Sequence, residues 1–290
     1  ALQHPARGLG RDMRSDTMGR EQVMIKVSSG HSLEGDIYRK TPSLHGVGVL
    51  VLHPYAYLGG SMRDPVVTEL FGCLCRSSWT SVILRYNQRG VGASTGYRQP
   101  RGSGDFQDVL DVLDYLAGTL PPGTNKRLVV VRYSWGCCVA AHALRHPLIA
   151  AYVGVSFPLS GLSMILGTKG HFEELGGTRH LPRLLITGSQ DQFSGEAQLM
   201  QSLTKAGGRL LEDDDSFQVV GTSGAPAPTP GGAAAAPLLL RVWAGADHFW
   251  LDQVAAMAEY VNDWLRGTLA AAGAAEDGAA ITAFSQAARA

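Results

Sequence analysis

This 290-residue chain has no excess charge of either sign: Lys+Arg and Asp+Glu both number 25, so its formal charge is zero. Binding along a phosphate backbone needs a basic excess or a basic stripe. The sequence has neither, which argues against nucleic acid as the main partner. No apolar run approaches the roughly 18 residues that a membrane span requires. Cysteine is scarce, with Cys73, Cys75, Cys137 and Cys138 the four present. None forms a Cys-x-x-Cys pair with histidines at zinc spacing, and no histidine cluster points to a metal, so neither metal nor cofactor is expected. The thiols read as small buried side chains on two helices, which suits a reducing compartment. Residues 1–20 carry Arg7, Arg11, Arg14 and Arg20 beside Asp12 and Asp16, with no apolar segment among them. They read as a flexible arm and not as a secretory signal. There are no internal repeats, and the expectation is a soluble intracellular protein.

Hydrophobic residues make up 45% of the chain, enough to build a core. Short apolar runs alternate with segments of helical spacing. Gln22 to Val27 and Leu33 to Tyr38 predict a hairpin. Val47 to Leu52, Ser81 to Tyr86, Leu128 to Val131, Tyr152 to Ser156, Leu184 to Thr187 and Leu238 to Trp243 predict six further strands. Helices are predicted over Asp64 to Ser77 (capped by Asp64-Pro65), Asp105 to Leu116 (capped by Asp105), Cys137 to His146, Glu196 to Lys205 and Val254 to Leu265. This alternation implies an α/β protein with a doubly wound, mostly parallel eight-stranded sheet, helices on both faces and an antiparallel N-terminal edge hairpin. One domain is expected over residues 21–267. Within it, 212–237 is a low-complexity loop insertion, opening on Glu212-Asp213-Asp214-Asp215 and ending in a Gly/Ala/Pro/Thr tract. Residues 268–290 form an Ala-rich tail.

The chemistry concentrates where strands end. The run Val129-Val130-Val131-Arg132-Tyr133 delivers Ser134, and a small-residue helix follows. A serine on such a sharp strand-to-helix turn has its hydroxyl lifted clear of the sheet. That hydroxyl is a weak nucleophile unless a base takes its proton and a carboxylate orients the base. Asp191 follows one predicted strand and His248 another, each 57 residues beyond its predecessor. Each residue alone has a bland reading as turn, cap or surface residue; the three together, in that order, point to a catalytic triad. An oxyanion would need backbone donors: Trp135 after the serine, and Tyr55 in His53-Pro54-Tyr55-Ala56-Tyr57-Leu58-Gly59-Gly60, because Pro54 has no N–H. Gly90, Gly92 and Gly96 do not fit the dinucleotide-binding spacing.

The chain resembles the α/β-hydrolase superfamily, and within it the small, lidless esterase-like hydrolases related to dienelactone hydrolase. Four segments carry the resemblance: His53-Pro54 with Gly59-Gly60; Arg85 to Ser94; Tyr133-Ser134-Trp135-Gly136; and Gly245-Ala246-Asp247-His248-Phe249. They span most of the chain. The resemblance implies a Ser134–His248–Asp191 triad and hydrolysis of a carboxylic ester or related acyl bond through an acyl-enzyme, with a small-molecule acyl substrate.

One position departs from that pattern. The motif is Gly-x-Ser-x-Gly, and Arg132 stands at its first glycine. Arg132 is expected to point into the cleft and bind an anionic group, to lie outward, or to mark a homologue that has lost catalysis. That last reading leaves a non-catalytic binding or scaffold protein as the rival function, with an acyltransferase as another. Phe157 and Trp250 are candidate substrate-binding residues, with Leu159, Met164 and Phe172 as further pocket candidates. Residues 157–180, rich in glycine, stand where larger hydrolases insert a lid; the segment is short, so the site is expected to be fairly open. Asp247 is a weaker rival to Asp191 as the partner of His248.

Overall fold

The computed structural model describes residues 19–41, 46–161, 166–212 and 236–287, with side chains described as far as residue 273. Nine strands form one sheet: β1 (Arg20–Lys26), β2 (Ser32–Arg39), β3 (Val47–Leu52), β4 (Val82–Tyr86), β5 (Arg127–Tyr133), β6 (Ile149–Val155), β7 (Arg183–Gly188), β8 (Arg209–Leu211) and β9 (Leu238–Trp243). Their spatial order is β1-β2-β4-β3-β5-β6-β7-β9-β8. Pairing is antiparallel for β1–β2 and β2–β4 and parallel everywhere else. The expected eight strands are present, and β8 is a ninth. It is a three-residue edge strand with little burial, too short and too exposed to leave an apolar run.

Among the described residues six helices cover the sheet: α1 (Pro65–Arg76), α2 (Asp105–Thr119), α3 (Trp135–Val139), α4 (Thr168–Gly177), α5 (Glu196–Lys205) and α6 (Val254–Ala287). The alternation of side chains along each strand separates two cores. On β5, Val129, Val131 and Tyr133 face α1 and α6, whereas Leu128 and Val130 face the layer of α2 to α5. The central strands β3 to β7 are buried on both faces, which is why they read as nearly continuous apolar runs. α1 starts as expected: Asp64 Oδ1 accepts the Val66 N–H at 2.9 Å and Pro65 takes the first turn.

Three helices differ from expectation. The predicted helix over Cys137 to His146 is two pieces, α3 and a 3-10 turn at His142–Arg145. α4 arises within a segment read as open, because Phe172 and Leu175 bury themselves in the core beside Phe157 and Leu181. α6 runs beyond Leu265 to Ala287, through most of the residues assigned to a tail; alanine has the highest helix propensity and carries it onward. Most of the 212–237 insertion, residues 1–18 and Met164 lie outside the described residues.

Candidate active site

β5 ends at Tyr133 and α3 begins at Trp135, so Ser134 makes the whole turn, with φ 53° and ψ −123°. A non-glycine residue held at such angles costs on the order of 1–3 kcal/mol and persists only when its surroundings over-determine it. Here the Ser134 N–H donates to Val155 O at 2.9 Å and Ser134 O accepts the Cys137 N–H at 2.8 Å. Gly136 lets α3 approach the end of β3: a Cβ there would lie 2.9 Å from His53 O. The serine sits at the carboxyl end of the central strand, where a parallel sheet gathers its loop residues.

The loops after β7 and β9 bring two side chains to it. His248 Nε2 lies 3.0 Å from Ser134 Oγ. His248 Nδ1 lies 2.8 Å and 2.9 Å from the two oxygens of Asp191. With Asp191 ionised, Nδ1 carries the proton and Nε2 is left to accept from the serine. Asp191 also accepts the backbone N–H groups of Phe193 and Ser194, both at 2.9 Å, and the Ser194 hydroxyl at 2.8 Å. Burial opposes its ionisation. The hydrogen bond and charge of His248, with the hydrogen bond from the Ser194 hydroxyl, outweigh burial and hold the carboxyl below its ordinary value. The His248 ring packs against Phe193 (4.7 Å between centroids) and Tyr133 (5.5 Å). Tyr133 Oη also donates to His248 O at 2.9 Å, tying the loop of His248 to the serine's strand.

Trp135 follows the serine, and its ring meets that of Tyr55 edge to face, with centroids 5.1 Å apart. Neither backbone N–H has an acceptor among the described residues, so both are free to donate to an oxyanion. The β3–α1 loop that carries Tyr55 is fixed by His53, which is fully buried. His53 Nε2 accepts the Gln88 N–H at 3.0 Å, so its proton resides on Nδ1 and is donated to Pro54 O at 2.7 Å. Burial pushes the His53 pKa down to about 4, which keeps this strut neutral.

The remaining candidates lie elsewhere. Arg132 takes neither the cleft nor the surface. It continues the row of Leu128 and Val130 beneath α3 and is fully buried. Its guanidinium stacks on the Tyr152 ring at 3.7 Å, and none of its three nitrogens has a hydrogen-bond partner. Room for it comes from the neighbouring strand. Gly154 pairs with Arg132, and Tyr152 leans across that glycine, where a Cβ would meet the Tyr152 ring at 3.0 Å. Phe157 and Trp250 are core residues: Phe157 packs edge to face on Phe172 at 5.3 Å, and Trp250 is 1% exposed.

Asp247 is no rival to Asp191. Its Oδ1 accepts the N–H groups of Phe249 and Trp250 and closes the turn that follows the base. Asp105 is not a cap either; it is the first residue of α2, buried beside Arg89 at 3.9 Å. Sequence reasoning missed Ser194, whose hydroxyl donates to Asp191. Nothing local distinguishes a serine in a turn from any other. Of the cavities, one of about 540 Å³ lies between α4 and α5, lined by Leu159, Phe172 and Ala206 with Lys169, Arg179 and Lys205; Ser134 does not line it. Among the described residues no group of three or more His, Cys, Asp or Glu is arranged to hold a metal ion, and no helix is long and apolar enough to cross a membrane.

No family model and no curated protein matches this sequence. Solved structures do resemble it. It is similar to an α/β serine hydrolase homologue from Coxiella burnetii, with a TM-score of 0.62 and 20% identity over 84% of this chain and 96% of that one. It is similar to a lidless α/β serine hydrolase from Xanthomonas campestris, with a TM-score of 0.61 and 18% identity over 86% and 94%. It is also similar to an esterase from Pyrococcus furiosus, with a TM-score of 0.63 and 17% identity over 90% and 96%. At these identities the likeness is one of fold, and the fold is that of the α/β-hydrolases.

Proposed function

We propose that this protein is a serine hydrolase that cleaves a carboxylic ester or a related acyl bond through an acyl-enzyme on Ser134. The observation that carries this is the unbroken contact from Asp191 through His248 to the strained Ser134. In the first half-reaction Ser134 Oγ attacks the carbonyl carbon while its proton passes to His248 Nε2. The carbonyl oxygen becomes an oxyanion that accepts from the N–H groups of Tyr55 and Trp135. Collapse breaks the bond to the leaving group, which departs with the proton from His248. Water then attacks the acyl-enzyme, gives its proton to His248, and releases the acid as the proton returns to Ser134. Asp191 stays ionised throughout and stabilises the imidazolium.

The esterases and serine hydrolases among the structural neighbours support this reading. So does the destination of Arg132. It was the motive for a non-catalytic protein, and its side chain stacks on Tyr152 instead of disturbing the turn. The test is fluorophosphonate labelling of the wild-type protein and of Ser134→Ala, with mass spectrometry to locate the adduct. Labelling at Ser134, absent in the variant, is the expected result. A folded wild-type protein that takes no label would overturn the proposal. Product analysis with alcohol or thiol acceptors then separates hydrolysis from acyl transfer.

A further inference from the structure

The cavity of about 540 Å³ between α4 and α5 includes no member of the triad in its lining. Its size falls within the roughly 300–1,000 Å³ of small-molecule pockets. Buried Leu159 and Phe172 give it an apolar lining. Three exposed cations line it too: Lys169 on the first turn of α4, Arg179 just beyond the end of that helix, and Lys205 at the end of α5. Their side chains have no ion pair or hydrogen bond with any described residue. Glu173 is the one acid among the described lining residues, so three cations against one acid leave two positive charges in excess. A chain of zero formal charge thus gathers unpaired cations around a small apolar cavity.

The same wall backs the loop of the acid. The N–H groups of Leu159 and Ser160 donate to Phe193 O at 3.0 Å and 2.9 Å, and Ser160 Oγ donates to Gln192 O at 3.0 Å. Phe193 in turn donates its N–H to Asp191 and packs its ring on that of His248. We propose that the cavity is a second binding site for a small amphipathic carboxylate, its apolar body on Leu159 and Phe172 and its head group held by Lys169, Arg179 and Lys205, and that its occupancy changes turnover through Leu159 and the Asp191 loop. Exposed cations alone hold a simple anion weakly in water. The apolar lining alone does not orient a ligand. A molecule with both parts uses the whole site. The carboxylate head follows from the proposed reaction, which releases one. That choice and the effect on turnover rest on the serine-hydrolase reading; the site itself does not.

The probe is decanoate, titrated by calorimetry against the full chain, with decanol and acetate as the arms that lack the head group and the apolar body. Decanoate is expected to bind with a Kd below about 1 mM, about tenfold or more tighter than either control, and to weaken as salt is raised. Two variants alter the cavity and leave the triad untouched. Arg179→Gln with Lys205→Gln removes charge, and Ser202→Trp fills space. Each is expected to lower the affinity about tenfold or more with an unchanged circular dichroism spectrum. Bound decanoate is expected to change the kcat for an activated ester about fivefold or more, as for coupling between two sites. Failure of decanoate to bind, or binding unaltered in both folded variants, overturns the site. A rise in apparent KM alone, cancelled by excess substrate, would place decanoate at Ser134 and refute the effect on turnover. If fluorophosphonate leaves the wild-type protein unlabelled while decanoate binds with this dependence on both variants, the hydrolase reading falls and the site stands. Labelling without decanoate binding does the reverse.

Discussion

Two buried carboxylates, Asp191 in the loop after β7 and Asp105 at the start of α2, are treated by the protein in opposite ways. Asp191 has both oxygens occupied by His248, two backbone amides and the Ser194 hydroxyl, and its pKa is lowered. Asp105, at the start of α2, has one oxygen without a hydrogen-bond partner. The guanidinium of Arg89 is close, but it is committed to Asp108 at 2.7 Å and 2.8 Å. Burial, with Asp108 as a second negative neighbour, pushes the Asp105 pKa up to about 7. Burial is common to both carboxyls, so it does not decide their charge. The supply of donors does. A fold that needs an anion surrounds it with N–H and O–H groups; where it does not, the carboxyl drifts toward neutrality.

The strongest way to break this contrast is Asp191→Asn. The amide keeps the shape of the carboxylate but holds His248 in the wrong tautomer, and kcat is expected to fall about 10⁴-fold. Steady-state turnover of an activated ester measures it, with circular dichroism to check the fold. A loss under about tenfold would mean that Asp191 is not the acid that orients the base.

The complementary change is Asp105→Asn. A carboxyl whose pKa is raised on folding contributes stability that is complete below its unfolded pKa, near 3.8. That stability is lost as pH rises through the folded value of about 7. Wild-type stability should therefore fall between about pH 4 and pH 7. The asparagine variant should lack that component and gain on the order of a few kcal/mol relative to wild type at pH 8. Urea midpoints across this range decide it. A variant that is less stable than wild type at pH 8 would show that Asp105 is held as an anion by Arg89 after all.

Much of this arrangement was legible in the chain and part was not, for physical reasons. Strands β3, β5, β7 and β9 announce themselves because both faces of the sheet are covered over most of their length, so their runs are nearly all apolar. Ser134, Asp191 and His248 could be named because each directly follows such a run. Where Arg132 goes could not be read, since its room is made by Gly154 and Tyr152 on the next strand. α4 was missed because glycines at 170, 176 and 177 argue locally against a helix, and only packing of Phe172 and Leu175 overrides them.

Arg132 sharpens the comparison, being a buried cation with no acid at all. Gly154→Ala would place a methyl 3.0 Å from the Tyr152 ring and 2.9 Å from Leu185. It is expected to cost about 1–3 kcal/mol through overpacking, read as a lower thermal midpoint. A neutral outcome would mean that the glycine is not what seats the arginine.

The smallest expected effect belongs to Arg132→Met. Burial pushes the arginine down to about 10, which still leaves it protonated at neutral pH. Its compensation is the face of Tyr152, a contact of about 2 kcal/mol when desolvated. Against this stands the cost of keeping a charge out of water, which a methionine of similar reach avoids. The two contributions oppose each other, so the variant should stay within about 1 kcal/mol of wild type by chemical denaturation, with kcat unchanged within about twofold. Should turnover collapse in a variant that folds normally, the arginine supports the serine turn from below. The rule drawn from the two carboxylates, that donors and acceptors in contact decide the fate of a buried charge, would then not extend to this cation.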